Sequence, residues 1–443
     1  MNQDEKDKRI KELEEALGKE KRAHEKTKKE FEEFKAKHAI TVDNLKKAMN
    51  IKANSKKKPK SAGAKKGHTA YTRHIPERID YVKAHIPKRC SDCNTRLVGK
   101  PNKKRSRYVT EIKLITKAKT TRHDIYTRRC PKCKKYVEGK VTEALPHANL
   151  GIKLMLLIMY LKLGLRIPCE KICDLLLTQY GIKLSKGGVV GVLKQLAREF
   201  GDYYIHLENI IKIARVKHTD STSWRIAGKN YFAWVFIACG VVLYKIRKRN
   251  NSKVPLTVFG KKQKGKILVI DRYSALRALA EKAGFLLQLC WSHILDDSKQ
   301  LAKNFGAEGR YVHKKLKMIF ELAKGLDHEG TLEHVEQLKG EILQLSLRHY
   351  KHLTVWKFVK NLYYRDVDNL FRFVIDPVVD PTNNISEREL RALVIIRKIS
   401  FGSGSPRGAN ATAMLLSIIQ TLRLNKRNVL VGLQKILNNQ ITS

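Results

Sequence analysis

Residues 214–246 read ARVKHTDSTSWRIAGKNYFAWVFIACGVVLYKI, and this stretch decides the fold. Ala214, Val216, His218 and Asp220 fall on one side of a strand by period two, the alternation of a half-buried β-strand. Tyr231 to Ala238 is a near-continuous apolar run, as a central strand requires, and Val241 to Ile246 follows after Gly240. Together they predict a β-meander. Downstream, Lys266 to Ile270 reads as a short buried strand ending in Asp271, Ser274 as the cap of a helix through Lys282, and Phe285 to Cys290 as another strand.

Three antiparallel strands followed by alternating strand and helix are the order of an RNase H-like α+β core. Residues 309 to 376 interrupt that order with helical patterns only. Val312, Leu316, Ile319 and Leu322 form one stripe, so the stretch reads as a helical insertion. A helix from Asn383 to Arg397 then resumes, with Leu390, Leu393 and Val394 as its packing face and Glu387, Arg391 and Lys398 on another. An ordinary Glu387–Arg391 pair at i, i+4 is the plain alternative for that second face.

Upstream, residues 150 to 200 predict three helices. Leu154, Leu157, Ile158 and Leu161 mark the first and Glu170 to Tyr180 the second; after a turn at Gly181, Ser185 caps a third that carries Val189, Val192, Leu193 and Leu196. Helix, short turn and capped helix outline a helix-turn-helix, although a plain three-helix bundle has the same pattern. Cys90-Ser-Asp-Cys93 and Cys130-Pro-Lys-Cys133 stand 36 residues apart, with β-type alternation in Tyr108–Leu114 and Thr120–Tyr126 between them. Four thiolates in two CxxC knuckles suit one tetrahedral structural Zn²⁺ in a zinc ribbon. Cys169, Cys173, Cys239 and Cys290 lie in apolar contexts and are expected to be core thiols.

Residues 52 to 74 hold eight Lys/Arg, no acid, and Pro59, Gly63 and Gly67 as breakers. Such a run builds no core, because its charges repel. Lys56, Lys57, Lys58, Lys60, Lys65 and Lys66 suit the phosphate backbone of DNA, or a flexible solvated tether. Residues 3 to 48 read as a long helix in which Ile10, Leu13, Leu17, Phe31 and Phe34 keep a broken heptad spacing. It is either a coiled-coil dimerisation arm or a solvated single helix.

The chain of 443 residues carries 90 Lys+Arg against 42 Asp+Glu, a formal net charge of +48 spread along its length. A polyanionic partner follows, nucleic acid first, with a ribosomal or membrane-surface protein as the alternative on charge alone. Met1 to Ile10 lacks an apolar signal core, and the longest apolar run, Leu154 to Leu161, is eight residues, far short of the roughly 20 that span a bilayer. The expected setting is a prokaryotic cytosol, associated with the nucleoid, where thiols stay reduced.

Asp220 and Asp271 each end a strand-like run, and Glu387 sits on a distant helix. Three such carboxylates can converge on two Mg²⁺ or Mn²⁺ ions about 4 Å apart, the arrangement that drives in-line displacement at phosphorus. His293 then has two readings, a contact to the scissile phosphate or a metal-bound water, and a core histidine. Arg388, Arg391, Arg397 and Lys398 make a basic stripe beside Glu387, suited to phosphate contacts or to ordinary solvation.

The stretch His218-Thr-Asp-Ser-Thr-Ser-Trp-Arg, the run Ile270-Asp-Arg-Tyr-Ser-Ala, the tetrad Cys290-Trp-Ser-His293, and the tail Pro381-Thr-Asn-Asn-Ile-Ser-Glu-Arg with Arg397-Lys-Ile-Ser-Phe-Gly-Ser resemble the insertion sequence 66 family of DDE transposases. Each motif is weak alone, but in register behind paired CxxC motifs they are specific, and the resemblance covers most of the chain. It implies that Asp220, Asp271 and Glu387 are the catalytic acids and that Cys290 and His293 support them. Thr382 stands where this family often has Asp, and Ser221 and Ser223 where Glu and Gly are commoner.

The expected architecture is multidomain: an arm (1–50), a basic linker (51–75), a zinc ribbon (76–145), a helix-turn-helix-like domain (146–205), the first part of the catalytic core (206–306), the helical insertion (307–378) and C-terminal core helices (379–443). The expected activity is DNA transposition, with terminal inverted repeats and target DNA as partners, a homodimer or higher oligomer, helper proteins of the same element, and no membrane. Two rivals stay open. One is a catalytically inactive or domesticated DNA-binding relative; the other is an RNase H-like nuclease or resolvase that hydrolyses without joining.

Overall fold

The computed structural model describes residues 148–442 except Asp327, together with Arg96 and the stretches 118–124, 127–129, 136–138, 141 and 143–146. The chain divides into two units, Met1–Glu111 and Ile112–Ser443, and nearly all described residues belong to the second. The expected N-terminal helix, the basic linker with Lys56, Lys57, Lys58, Lys60, Lys65 and Lys66, and the four expected zinc ligands Cys90, Cys93, Cys130 and Cys133 lie outside the described residues. In sequence, Cys130 and Cys133 fall between β1 (Thr127–Arg129) and β2 (Tyr136–Glu138), which pair antiparallel.

The three helices expected over 150–200 are present. α1 (Ile152–Met159) widens into a π turn at Tyr160–Gly164. α2 (Cys169–Tyr180) closes on Gly181, whose φ of 67° is open to a residue without Cβ. Ser185 caps α3 (Lys186–Glu199), its Oγ accepting the Gly188 N–H at 3.0 Å. The buried face of α1 is Ile152, Met155, Leu156, Ile158 and Met159, leaving Leu154 and Leu157 half-buried. Both α3 and the C-terminal end of the chain pack against α1, so more than one stripe is covered.

α4 (Gly201–Ile213) leads into β3 (Val216–Ile226), β4 (Lys229–Ala238), β5 (Val241–Arg247), α5 (Lys253–Phe259), β6 (Ile267–Ile270), α6 (Ser274–Ala283) and β7 (Leu286–Leu289). These strands form one mixed sheet in the order β5-β4-β3-β6-β7. The meander β3–β4–β5 is antiparallel, and β6 and β7 add parallel to β3. Each hairpin turns on two residues of positive φ, Ala227 (47°) with Gly228 (77°) and Cys239 (48°) with Gly240 (72°), the sense that matches strand twist. Cys239 is therefore an exposed turn residue, and Cys169 and Cys173 are half-buried; of the four thiols expected in the core, Cys290 alone is buried.

As the central strand, β3 is covered on both faces, so period two describes it only in part: Lys217 and Thr219 are buried along with Val216 and His218. Lys217 lies near the rings of Phe259 and Phe285 and donates to Ala214 O and to Gln263 Oε1. Burial lowers its pKa to about 7.

Beyond the sheet come α7 (Trp291–Asn304), α8 (Gly306–Gly325), α9 (Leu332–Leu347), α10 (Leu353–Asn361) and, after a π turn at Leu362–Asp366, α11 (Arg372–Ile375). Then follow α12 (Asn384–Ser400), α13 (Pro406–Leu424) and α14 (Val429–Thr442). Apart from the short loops, the interrupting stretch is helical as expected. Its stripe continues through Phe320 and Ala323, whereas Leu322 is 55% exposed. The edge strand β5 is sealed by α13, where Thr421 Oγ1 accepts from Val242 N at 3.0 Å and Ser417 Oγ from Tyr244 N at 2.8 Å. Hydroxyls thus satisfy donors that an open edge would offer to another chain. One buried apolar cluster runs from Leu145 to Leu437, joining the first helices, the sheet, the insertion and the C-terminal helices.

Candidate active site

The parallel register between β3 and β6 pairs Val216 with Ile267 and His218 with Val269. Carried two residues further, that register sets Asp220 level with Asp271. β6 and β7 pair Ile270 with Leu289, so Cys290 falls at the next level on the other side of Asp271. The sheet therefore brings to one edge residues that are far apart in sequence. Backbone amides orient both aspartates: Ser221 N donates to Asp220 Oδ1 at 2.6 Å and Tyr273 N to Asp271 Oδ1 at 3.1 Å. α6 begins at Ser274 itself, so Tyr273, and not Ser274 as expected, is the residue that precedes the helix.

Two helix starts complete the cluster. Cys290 precedes α7, which puts His293 in its first turn, and Asn383 precedes α12, which puts Glu387 in its first turn. His293 Nε2 lies 3.6 Å from Glu387 Oε1, and ligand atoms of Cys290, His293 and Glu387 all lie within 4.8 Å of one another. Glu387 thus pairs with His293; among the described residues no Glu387–Arg391 ion pair forms.

Asn383 ties these elements together. Its N–H donates to Cys290 Sγ at 3.1 Å, its Nδ2 donates to Thr219 O at 3.0 Å, and its Oδ1 lies 3.3 Å from His218 Nδ1. On the other side of the ring, His218 Nε2 lies 3.5 Å from Asp380 Oδ2. Trp291 N donates to Pro381 O at 3.0 Å, so the segment before α12 is stitched to the start of α7. Sequence reasoning gave Asn383 no role, although it stands within the quoted Asn-Asn-x-x-Glu-Arg motif.

The cluster has more negative than positive charge. Asp220 is pushed up to about 6, chiefly by burial; the Ser221 N–H opposes this, Asp271 and Glu387 add to it, and His293 opposes. His293 is pushed up to about 9 by the Cys290 sulfur beside it, against burial, with Glu387 and Asp271 helping. One cation faces three carboxylates, and the excess is what a bound divalent cation would neutralise.

Of the expected phosphate contacts, Arg388, Arg391 and Lys398 are exposed on α12. Arg397 is half-buried, and its Nη1 donates to the carbonyl and hydroxyl of Ser223. Ser223 therefore joins α12 to β3, and Ser221 Oγ bonds Asn250 Oδ1 at 3.0 Å. Asp366 also escaped the sequence reading. Fully buried, it lies 2.8 Å from Arg272 and 2.7 Å from Arg277, clamping the insertion to the residue after Asp271.

A mixed sheet with clustered acids at one edge, in a strongly basic chain, defines a mixed α/β protein with a candidate active site at that edge. The family model described as Transposase IS66 family matches residues 147–411. The chain belongs to that family, and a transposase role follows from membership. No curated protein matches the chain. Among the described residues, no helix is long and apolar enough to cross a membrane.

Proposed function

We propose that this chain is an active DNA transposase. It binds the terminal inverted repeats of its element, cleaves at the ends and joins the freed 3′-hydroxyl to target DNA. The observation that carries this reading is the convergence of Asp220, Asp271 and Glu387, from two strands and a distant helix, beside His293. Oxygen donors with uncompensated charge fit Mg²⁺ or Mn²⁺, two per site. When bound, such ions supply a metal-activated nucleophile and neutralise the leaving oxygen. The chain itself orients the two aspartates through Ser221 N–H and Tyr273 N–H, and fixes Glu387 and His293 through Asn383. His293, held as a cation at neutral pH, faces the phosphate that is cut.

The sheet order, three antiparallel strands and two parallel ones, supports an RNase H-like core, and helices 307–378 are its insertion. In this reading α2 and α3 form a helix-turn-helix, while Cys90, Cys93, Cys130 and Cys133 bind one structural Zn²⁺. These modules, with the basic linker, recognise the ends; Arg388, Arg391, Arg397 and Lys398 contact phosphates, and the N-terminal arm pairs subunits in the nucleoid. The test is strand transfer on labelled element-end DNA with Mg²⁺ or Mn²⁺ against Ca²⁺. Joined products that need the metal and disappear in Glu387→Gln are expected. Cleavage without joining makes the protein a nuclease, and end binding with neither reaction makes it an inactive relative.

A further inference from the structure

The C-terminal end of α12 carries a feature that the acid cluster does not use. Phe401 is 84% exposed, and its φ of 55° lies in the left-handed region where a helix normally ends on Gly or Asn. Two unfavourable features coincide there. A large ring stands in water, and its backbone holds a conformation that costs on the order of 1 kcal/mol for a residue with Cβ.

The flanking residues keep it there. Gly402 has φ 112°, and a Cβ on it would sit 2.2 Å from the Arg225 carbonyl. Ser403 N donates to Arg225 O and Ala227 N to Ser403 O, both at 2.9 Å, so Ser403 bridges to the tip of the β3–β4 hairpin as a strand would. On the other side, Ser400 Oγ bonds Ile396 O at 2.7 Å and Gly402 O at 2.9 Å. Phe401 thus stands between two pinned neighbours, on the rim of a cleft of about 710 Å³ that Arg225, Asn230, Arg397 and Lys398 also line.

The charge around the cleft has one sign. The charged residues that line it, Arg225, Arg397 and Lys398, are all basic. An exposed apolar ring on a pinned backbone beside a cationic cleft matches the chemistry of a nucleobase stacked on the ring with its phosphate among the cations. Fourteen residues of helix separate Glu387 from Phe401, about 21 Å at 1.5 Å per residue, or roughly six nucleotides of one DNA strand at 3.4 Å each.

We infer that Phe401 stacks on a base displaced from the DNA end, roughly six nucleotides from the bond that is cut, with Arg225 and Lys398 holding that nucleotide's backbone. This rests on the transposase reading and adds a contact to it.

The experiment uses the full chain in Ca²⁺ with element-end duplexes, each carrying 2-aminopurine at one of the first ten positions from the cleavage site. Wild type is expected to change the fluorescence at one position, or two adjacent ones, five to seven nucleotides in. Phe401→Ala should abolish that change and weaken binding by about 5- to 150-fold, the span of one lost base–aromatic stack; Phe401→Trp should retain both. Thermal melts of both variants matching wild type keep a folding defect out of the comparison, and Phe401→Leu supplies a second apolar variant without a stacking face. End binding unchanged in Phe401→Ala overturns the stacking while leaving the transposase reading intact. A change in subunit association with the fluorescence unmoved assigns Phe401 to a protein interface and also overturns it. Failure of wild type to prefer end DNA over random duplex overturns both.

Discussion

Two groups of acids meet at consecutive residues, Asp271 and Arg272, and they are built on opposite rules. Asp366 is fully buried, and its charge is met within the protein by Arg272 and Arg277. Asp220, Asp271 and Glu387 lie at an accessible edge with one cation, His293, among three carboxylates. A buried acid with its counter-charges supplied is part of the framework. A cluster short of positive charge costs stability, and such costs concentrate where a protein binds or reacts. The paired group also serves the unpaired one, because the clamp on Arg272 fixes the chain directly after Asp271.

The largest effect expected is on activity. Asp271→Asn keeps the side-chain shape and removes the charge, so cleavage and joining of element ends should fall on the order of a thousand-fold, about 4 kcal/mol at 1.4 kcal/mol per tenfold. Binding to end DNA in Ca²⁺ should be retained. Equal loss of binding and cleavage would place Asp271 in the framework with Asp366 and erase the contrast.

Asp366→Asn should do the reverse. It leaves the largely buried Arg277 guanidinium without its anion and Arg272 with only the exposed Asp297 at 3.4 Å, and breaking a buried pair in this way costs about 3 kcal/mol. Chemical denaturation should show that loss, and whatever activity declines should decline with the folded fraction. A variant as stable as wild type but inactive would move Asp366 into the reacting site.

Asp220→Asn tests the sign of the difference. A carboxyl whose pKa rises to about 6 on folding, from an ordinary value near 3.8, binds protons more readily in the folded state. Folding therefore loses stability as pH climbs between those two values, and the loss is complete above about 6. In magnesium-free buffer the Asn variant should match wild type at pH 3.5 and be more stable by about 2 to 3 kcal/mol at pH 7, at 1.4 kcal/mol per pKa unit. A variant less stable than wild type at pH 7 would show that the amide and neighbouring groups already satisfy Asp220.

Much of this contrast was legible in the sequence, and unequally so. Asp220 and Asp271 could be picked out because each ended a strand-like run in the sequence pattern, although β3 in fact continues past Asp220 to Ile226. Glu387 could be picked out because it stood in a basic stripe on a downstream helix, and the meander from Val216 to Ile246 announced itself by apolar runs. The parallel addition of β6 and β7 followed from the intervening helices. Asp366 carried no such signal, since the two arginines that define it lie 94 and 89 residues earlier in sequence and meet it only through the fold of the insertion. Lys217 and Leu322 misled for a related reason. Periodicity assigns a side chain to a face but does not say what covers that face, so a lysine on a central strand is buried and a leucine on a surface helix is not.

The smallest effect is the most direct test of why the acid cluster is short of positive charge. A ligand that binds only the folded state stabilises it by RT ln(1 + [L]/Kd), about 1.4 kcal/mol at ten times Kd. Titrating Mg²⁺ into the full chain should raise the melting temperature in saturable steps, and the rise should vanish in Asp271→Asn and persist in Asp366→Asn, measured where that variant is still folded. Because Asp220→Asn has already lost part of the repulsion that the cation relieves, its response should be weaker than that of wild type although its starting stability is higher. Stabilisation of all four proteins alike would assign the cation to sites elsewhere on the surface. The excess of carboxylates beside His293 would then be a feature of the framework, and the two acid groups would no longer differ in kind.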